Sequence, residues 1–155
     1  MRDQVDKCAY LNLKEISEPE ENSLRLVIEE MRVGDVAEDL VVGATNLGPT
    51  RRIEHTEACR VFEIIWDTYI AYCVVNESYA LGDKSDIYDG RRFRVYSKSL
   101  FLDYVRKDTF GDDQYPGPSK HIGISCGNHI VNVVSVSDPS IRLLKAGQPR
   151  VVPDA

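Results

Sequence analysis

Residues 59–76 read CRVFEIIWDTYIAYCVVN, and the way this stretch divides into strands decides the fold. β-Branched and aromatic side chains, which suit a pleated and partly buried surface, fill most of it. Treating Asp67-Thr68 as a two-residue turn sets Trp66 opposite Tyr69, Ile64 opposite Ala71 and Phe62 opposite Cys73. One face of that hairpin carries Phe62, Ile64, Trp66, Tyr69, Ala71, Cys73 and Val75 with no charge, so it is expected to face the core. Asp-Thr is not a dipeptide that favours tight hairpin turns, so the register rests on the hydrophobic pattern alone.

Toward the N-terminus, Cys8–Ile16 and Ser23–Val33 read as two strands of a hairpin, separated by a break at Ser17–Asn22. In the second strand Leu24, Leu26 and Ile28 alternate with Arg25, Val27 and Glu29, the period of a half-buried strand. Residues 34–50 are punctuated by Gly34, Gly43, Gly48 and Pro49. They are expected to form a long loop, with Leu40-Val41-Val42 as a short strand at most.

Toward the C-terminus, Arg91–Tyr96 predicts a short strand with Arg92, Arg94 and Tyr96 on one side. Ser97 predicts a helix N-cap, and the helix runs over about 98–107 with Phe101, Tyr104 and Val105 as its buried stripe. His121–Cys126 and His129–Ser137 flank Gly127-Asn128, a pair that readily supplies a two-residue turn, with Gly127 at positive φ. Pairing outward sets Cys126 against His129, Ile124 against Val131 and Ile122 against Val133, all on one face. Ile141–Leu144 adds a short edge strand, and 145–155, with two prolines, forms a loose tail. The sum is an α+β fold: a mostly antiparallel sheet of about six to eight strands with one main helix, about 98–107, packed against it.

The chain has 155 residues, 43% hydrophobic and 28% charged, which suits one globular domain spanning 1–155. No apolar run approaches the roughly 20 residues of a membrane span. The opening MRDQVDK has no secretory h-region, and Cys8, Cys59, Cys73 and Cys126 show no CxxC spacing. Both features predict free thiols and a cytoplasmic setting. Residues 1–50 hold 5 Lys+Arg and 11 Asp+Glu, whereas residues 51–100 hold 8 of each and 101–155 hold 6 of each. The whole net charge of −6 therefore belongs to the first third. That balance argues against nucleic acid as a partner, since phosphates need a basic face.

Several constellations could carry chemistry. His121, Cys126 and His129 are zinc-ligand types, but the hairpin register turns His121 to the face opposite Cys126 and His129, so no metal site is expected. Cys126 and His129 could meet as a nucleophilic pair, yet no group to orient the histidine accompanies them. Among the carboxylates, Glu18, Glu20, Glu21, Glu29, Glu30, Asp112 and Asp113 lack calcium-loop spacing, and Asp83, Asp86 and Asp89 come nearest without matching it. The glycines form neither a P-loop nor a dinucleotide fingerprint, and no cofactor is expected. Arg92, Arg94 and Tyr96 share a strand face that could grip a phosphate or carboxylate bidentately, with His129 as a further contact.

Residues 90–105, GRRFRVYSKSLFLDYV, together with HIGISCGNHIVNVVS and Pro139-Ser140-Ile141, resemble a group of small uncharacterised bacterial proteins. These share the patterns GRxFRxYSxSxFLDY and HxGIxCxNHIxxVxS. The chain departs from them at Leu100, ahead of Phe101, and at Asn132, where the pattern has an acid. The resemblance covers about the last two-thirds of the chain. It implies a bacterial cytoplasmic origin and lends weight to Arg91, Tyr96, Ser97, His121, Cys126, Asn128 and His129 without assigning roles. Two functional readings follow. The first is a non-enzymatic protein-interaction domain of the immunity type, meeting a basic partner through its acidic first third. The alternative is a small-molecule or anion-binding domain, either a binding module or an enzyme, using Arg92, Arg94, Tyr96 and His129.

Overall fold

The computed structural model describes residues 1–111 and 114–147. Asp112, Asp113 and most of the expected tail at 145–155 lie outside the described residues. A short helix α1 (Arg2–Asp6) precedes four strands: β1 (Tyr10–Ser17), β2 (Leu24–Val42), β3 (Thr45–Glu54) and β4 (Val61–Trp66). Then come β5 (Ala71–Asn76), β6 (Ile87–Asp89), β7 (Phe93–Lys98), helix α2 (Leu100–Asp108), β8 (Lys120–Ser125), β9 (His129–Ser135) and β10 (Ser140–Lys145). Mostly antiparallel β-structure with minor helix is the result, as the sequence indicates. Among the described residues the strands number ten, however, and they form two sheets rather than one of six to eight. The first sheet runs β1-β2-β4-β10, with β3 on the distal part of β2, and the second runs β5-β9-β8-β7-β6.

The sheets face each other across one core. Leu11, Leu24, Leu26, Ile28, Phe62, Ile64 and Trp66 come from the first, and Phe93, Ile122, Ile124, Cys126, Val131 and Val133 from the second. The β1–β2 hairpin forms as the alternation predicts, with Leu13 opposite Ile28 and Ile16 opposite Leu26. The expected 61–75 hairpin does not form. β4 pairs with β2 and β10 in the first sheet, while β5 pairs with β9 in the second. Between them the chain crosses from sheet to sheet, held by Tyr69 N–H donating to Asn22 O at 3.2 Å and Ile70 N–H to Val134 O at 2.8 Å. Phe62, Ile64 and Trp66 do face the core, but on β5 it is Tyr72 that packs inward, not Ala71 or Cys73.

A ladder of ion pairs crosses the outer face of the first sheet. Glu15 on β1 meets Arg25 on β2 at 2.5 Å, Arg25 meets Glu63 on β4 at 2.6 Å, and Glu63 meets Arg142 on β10. Glu63 is almost fully buried there. Its two arginine partners, Arg142 foremost, hold its carboxyl below the usual range against the opposing effect of burial.

Residues 34–50 are not a loop. β2 runs on to Val42 and turns back through β3, with Ala37 opposite Arg51 and Val42 opposite Thr45. This two-stranded arm leaves Val36, Leu40, Val41, Val42 and Leu47 exposed. Its strands bury almost nothing, so side-chain alternation has nothing to record.

The last hairpin forms in the expected register, with Ile122 opposite Val133, Ile124 opposite Val131, and Cys126 N–H donating to His129 O at 2.9 Å. Gly127 is a correction: its φ is not in the left-handed region, and an added Cβ would meet only Leu11 O, at 3.6 Å. Gly127→Ala is therefore expected to change stability by less than about 1 kcal/mol in urea denaturation. A loss of 3 kcal/mol would contradict this backbone geometry.

Helix α2 begins two residues later than the sequence suggests. Pairing of β6 with β7 keeps residues 97 and 98 extended, with Ser97 Oγ donating to Ile87 O at 3.2 Å. Ser99 becomes the N-cap, accepting from Leu102 N–H at 3.0 Å. Leu102 and Val105 form the buried stripe, while Tyr104 is exposed. Among the described residues no helix is long and apolar enough to cross a membrane.

Candidate functional site

Strand alternation sends Phe93 and Val95 of β7 into the core and leaves Arg94 and Tyr96 on the outer face of the second sheet. The neighbouring strands add His121 from β8, Ile130 and Asn132 from β9, and Cys73 and Val75 from β5. The start of α2 contributes Leu100 and Phe101, and the loop at 79–86 closes the rim. Together they bound a cleft of about 420 Å³.

A chain of hydrogen bonds lies under its floor. Asn132 Oδ1 sits 3.0 Å from His121 Nε2, so that nitrogen carries the proton and donates. Nδ1 of the neutral ring is then an acceptor and takes the Ser99 hydroxyl proton at 2.7 Å. Ser99 in turn accepts from the helix amide of Leu102, and Asn132 Nδ2 reaches Cys73 Sγ at 3.7 Å. His121 is fully buried. The Tyr96 ring lies flat on it at 4.0 Å between centroids, Phe101 meets it edge-on at 5.4 Å, and Tyr88 extends the aromatic run at 5.0 Å from Tyr96. Gly123 makes this packing possible. A Cβ there would lie 2.9 Å from Tyr96 Cε2 and 3.3 Å from Asn132 Oδ1.

Burial pushes the His121 imidazole below its ordinary 6.5, against the Asn132 hydrogen bond and the Asp86 charge, which favour protonation. The folded state therefore binds fewer protons than the unfolded one just below pH 6.5, and stability falls as pH falls through that window. Urea midpoints between pH 8 and 5 are expected to decline below 6.5, and the decline should shrink in His121→Gln. An identical profile in the variant would assign the effect to other groups.

Arg94 is the cation of the cleft. Its guanidinium lies 4.7 Å over the Tyr88 ring, and Nε donates to Arg91 O at 3.2 Å. Among the described residues no carboxylate lies within ion-pair distance of it. Burial raises the Tyr96 phenol, and the neighbouring Arg94 opposes the rise.

The structure brings together Arg94 and Tyr96 of the four expected contacts and separates the other two. Arg92 precedes β7 and points to the β1 end, where it donates to Ala9 O and lies 5.8 Å over the Tyr10 ring. Asp6 holds the backbone there, its Oδ1 accepting from the amides of Arg91, Arg92 and Phe93 at 2.7, 2.7 and 2.9 Å. His129 has the parity of Val131 and Val133 and sits opposite Asn76, on the face away from the cleft. Cys126 lies on that same inner face, and burial pushes its thiol up to about 12, which keeps it a packing residue rather than a thiolate. His121 is on the opposite face, and among the described residues no three His, Cys, Asp or Glu side chains converge.

Sequence reasoning missed Asn132, Cys73 and Asp86 as cleft residues and Ser99 and Gly123 as supports beneath them, and it weighed His121 as a metal ligand and set it aside. One signal was available: the hairpin register places both His121 and Asn132 on the face that the apolar residues leave free. Comparison of the chain with protein-family models, with curated proteins and with solved structures finds no match.

Proposed function

We propose that the protein is a small-molecule-binding domain of the bacterial cytoplasm whose ligand carries an anionic group that docks on Arg94. The observation that supports this is a guanidinium without a carboxylate partner at an aromatic-floored cleft of about 420 Å³. A cavity lined by apolar walls with a few converging polar groups is the usual form of such a site. The buried Ser99–His121–Asn132 chain holds the floor rigid. We read it as structural, because Ser99 and His121 are each 2% exposed and Ser99 Oγ is already taken up in capping α2.

A screen by differential scanning fluorimetry against carboxylates, phosphates and nucleotides tests the reading. A ligand at about 100 times its Kd adds about 2.7 kcal/mol, which raises Tm by roughly 5–10 °C in a chain of this size. Arg94→Met should abolish the shift. Gly123→Val should weaken it by displacing the Tyr96 ring. A panel without any hit, or a hit that Arg94→Met retains in full, would remove the proposal.

The arm supports a second reading, as a protein-interaction domain of the immunity type. Isolated two-stranded ribbons are marginally stable in water, and this one exposes a row of apolar side chains that a partner strand would cover. The acidic balance of residues 1–50 favours a basic partner and disfavours a second copy of the same chain. Under this reading a captured partner is lost when Val36, Leu40 and Leu47 are changed to Ser, and its binding weakens with salt. Capture that survives both changes would exclude the arm.

A further inference from the structure

We infer that the cleft takes a zwitterion, an α-amino acid with an apolar side chain; this rests on the small-molecule reading above. Arg94 is one pole. Asp83 and Asp86 line the same cleft and supply the other. Asp86 Oδ1 accepts from Leu100 N–H at 3.1 Å, which fixes that carboxylate and leaves its second oxygen uncommitted by this bond, while Asp83 is held by the amide of Ser85 at 2.6 Å and by the Ser85 side chain, with Lys98 acting on it at longer range. Neither aspartate is in ion-pair contact with Arg94 or with another described cation. Lys84 lines only an adjoining depression.

Opposite charges held apart in one cavity suit a ligand that carries both. A carboxylate fits the planar fork of Arg94, and an ammonium fits the aspartates. The same charges work against other classes. A phosphate or dianion would face two carboxylates with one arginine, and the helix amide at Leu100 that could have assisted it already binds Asp86. A simple amine would leave Arg94 without a partner. The apolar part of the ligand would cover Tyr79, Leu81 and Leu100, which stand at the rim 80%, 100% and 56% exposed.

Three probes separate the possibilities on the full chain by calorimetry: L-phenylalanine, 3-phenylpropionate, which lacks the ammonium, and phenethylamine, which lacks the carboxylate. L-Phenylalanine is expected to bind at least tenfold more tightly than either, since a charge-assisted contact is worth about ten- to a hundredfold in affinity. Asp86→Asn, which keeps the acceptor for Leu100, should reduce L-phenylalanine to the level of 3-phenylpropionate. Arg94→Met should reduce it to the level of phenethylamine. Binding of 3-phenylpropionate as tightly as L-phenylalanine would overturn the zwitterion and leave the anion-binding reading intact. Failure of all three probes also overturns it, and the broader fluorimetry screen then decides the parent reading by itself.

Discussion

Glu30→Ala is expected to cost about 3–5 kcal/mol, the scale for stripping one partner from a buried ion pair. Glu30 is 6% exposed. Its carboxylate accepts from Arg60 three times: from the backbone N–H at 3.0 Å, from Nε at 2.8 Å and from Nη2 at 3.0 Å. The same guanidinium reaches Cys8 Sγ at 3.3 Å and lies 5.3 Å over the Phe62 ring. Removing the acid leaves a partly buried cation between a thiol and an aromatic ring. Burial alone would raise the Glu30 carboxyl, but the Arg60 bonds overcome this and hold it at about 2, against an ordinary 4.5. The contribution is complete above pH 4.5 and is lost as pH falls toward 2, amounting to about 3 kcal/mol. Acid titration of stability should therefore be steeper in the wild type than in Glu30→Ala. Coincident acid profiles, or a loss under 1 kcal/mol at neutral pH, would contradict the account.

Asn128→Ala is expected to cost about 2–4 kcal/mol, because it strands two backbone groups at once. Its Oδ1 accepts from Leu13 N–H and its Nδ2 donates to Leu13 O, each at 2.9 Å. The side-chain amide thus completes the hydrogen bonding of β1 as a neighbouring strand would, and Gly127 N–H adds a bond to Leu11 O at 2.8 Å. The tip of a hairpin in one sheet seals the edge of the other. Asn128→Asp keeps the acceptor and loses the donor, so its cost should fall between those of wild type and Asn128→Ala. Chemical denaturation of the three proteins checks the order; a neutral Asn128→Ala would mean that water serves Leu13 equally well.

The parts of the fold that could be read from the sequence are those where one face is apolar and the turn is local. Ile122, Ile124, Val131 and Val133 specify their own register, and so do Leu24, Leu26 and Ile28. Alternation at Phe62, Ile64 and Trp66 identifies an inward face but not which sheet the strand joins. That choice rests on Tyr69 and Ile70 bonding to residues remote in sequence. The arm is invisible to the same logic, since its side chains bury almost nothing. In the cleft, Arg94 and Tyr96 follow from strand parity. Arg92 drops out because β7 starts one residue after it, and His129 because its parity matches Val131. Ser99 joins His121 only through the placement of α2, which depends on β6 pairing with β7.

The crossing at 67–70 has a consequence for synthesis on the ribosome. The chain lays down four strands of the first sheet, builds all five of the second, and only then returns β10 to the open side of β4. Until residues 140–145 emerge, Val61–Trp66 presents an unpaired edge to the cell, and such edges invite association with other chains. The first sheet cannot be completed until the second has been made, and the two share one core, so neither buries its apolar face alone. Unfolding should accordingly pass through one cooperative transition, and a nascent chain stalled before residue 140 should need a chaperone to stay soluble.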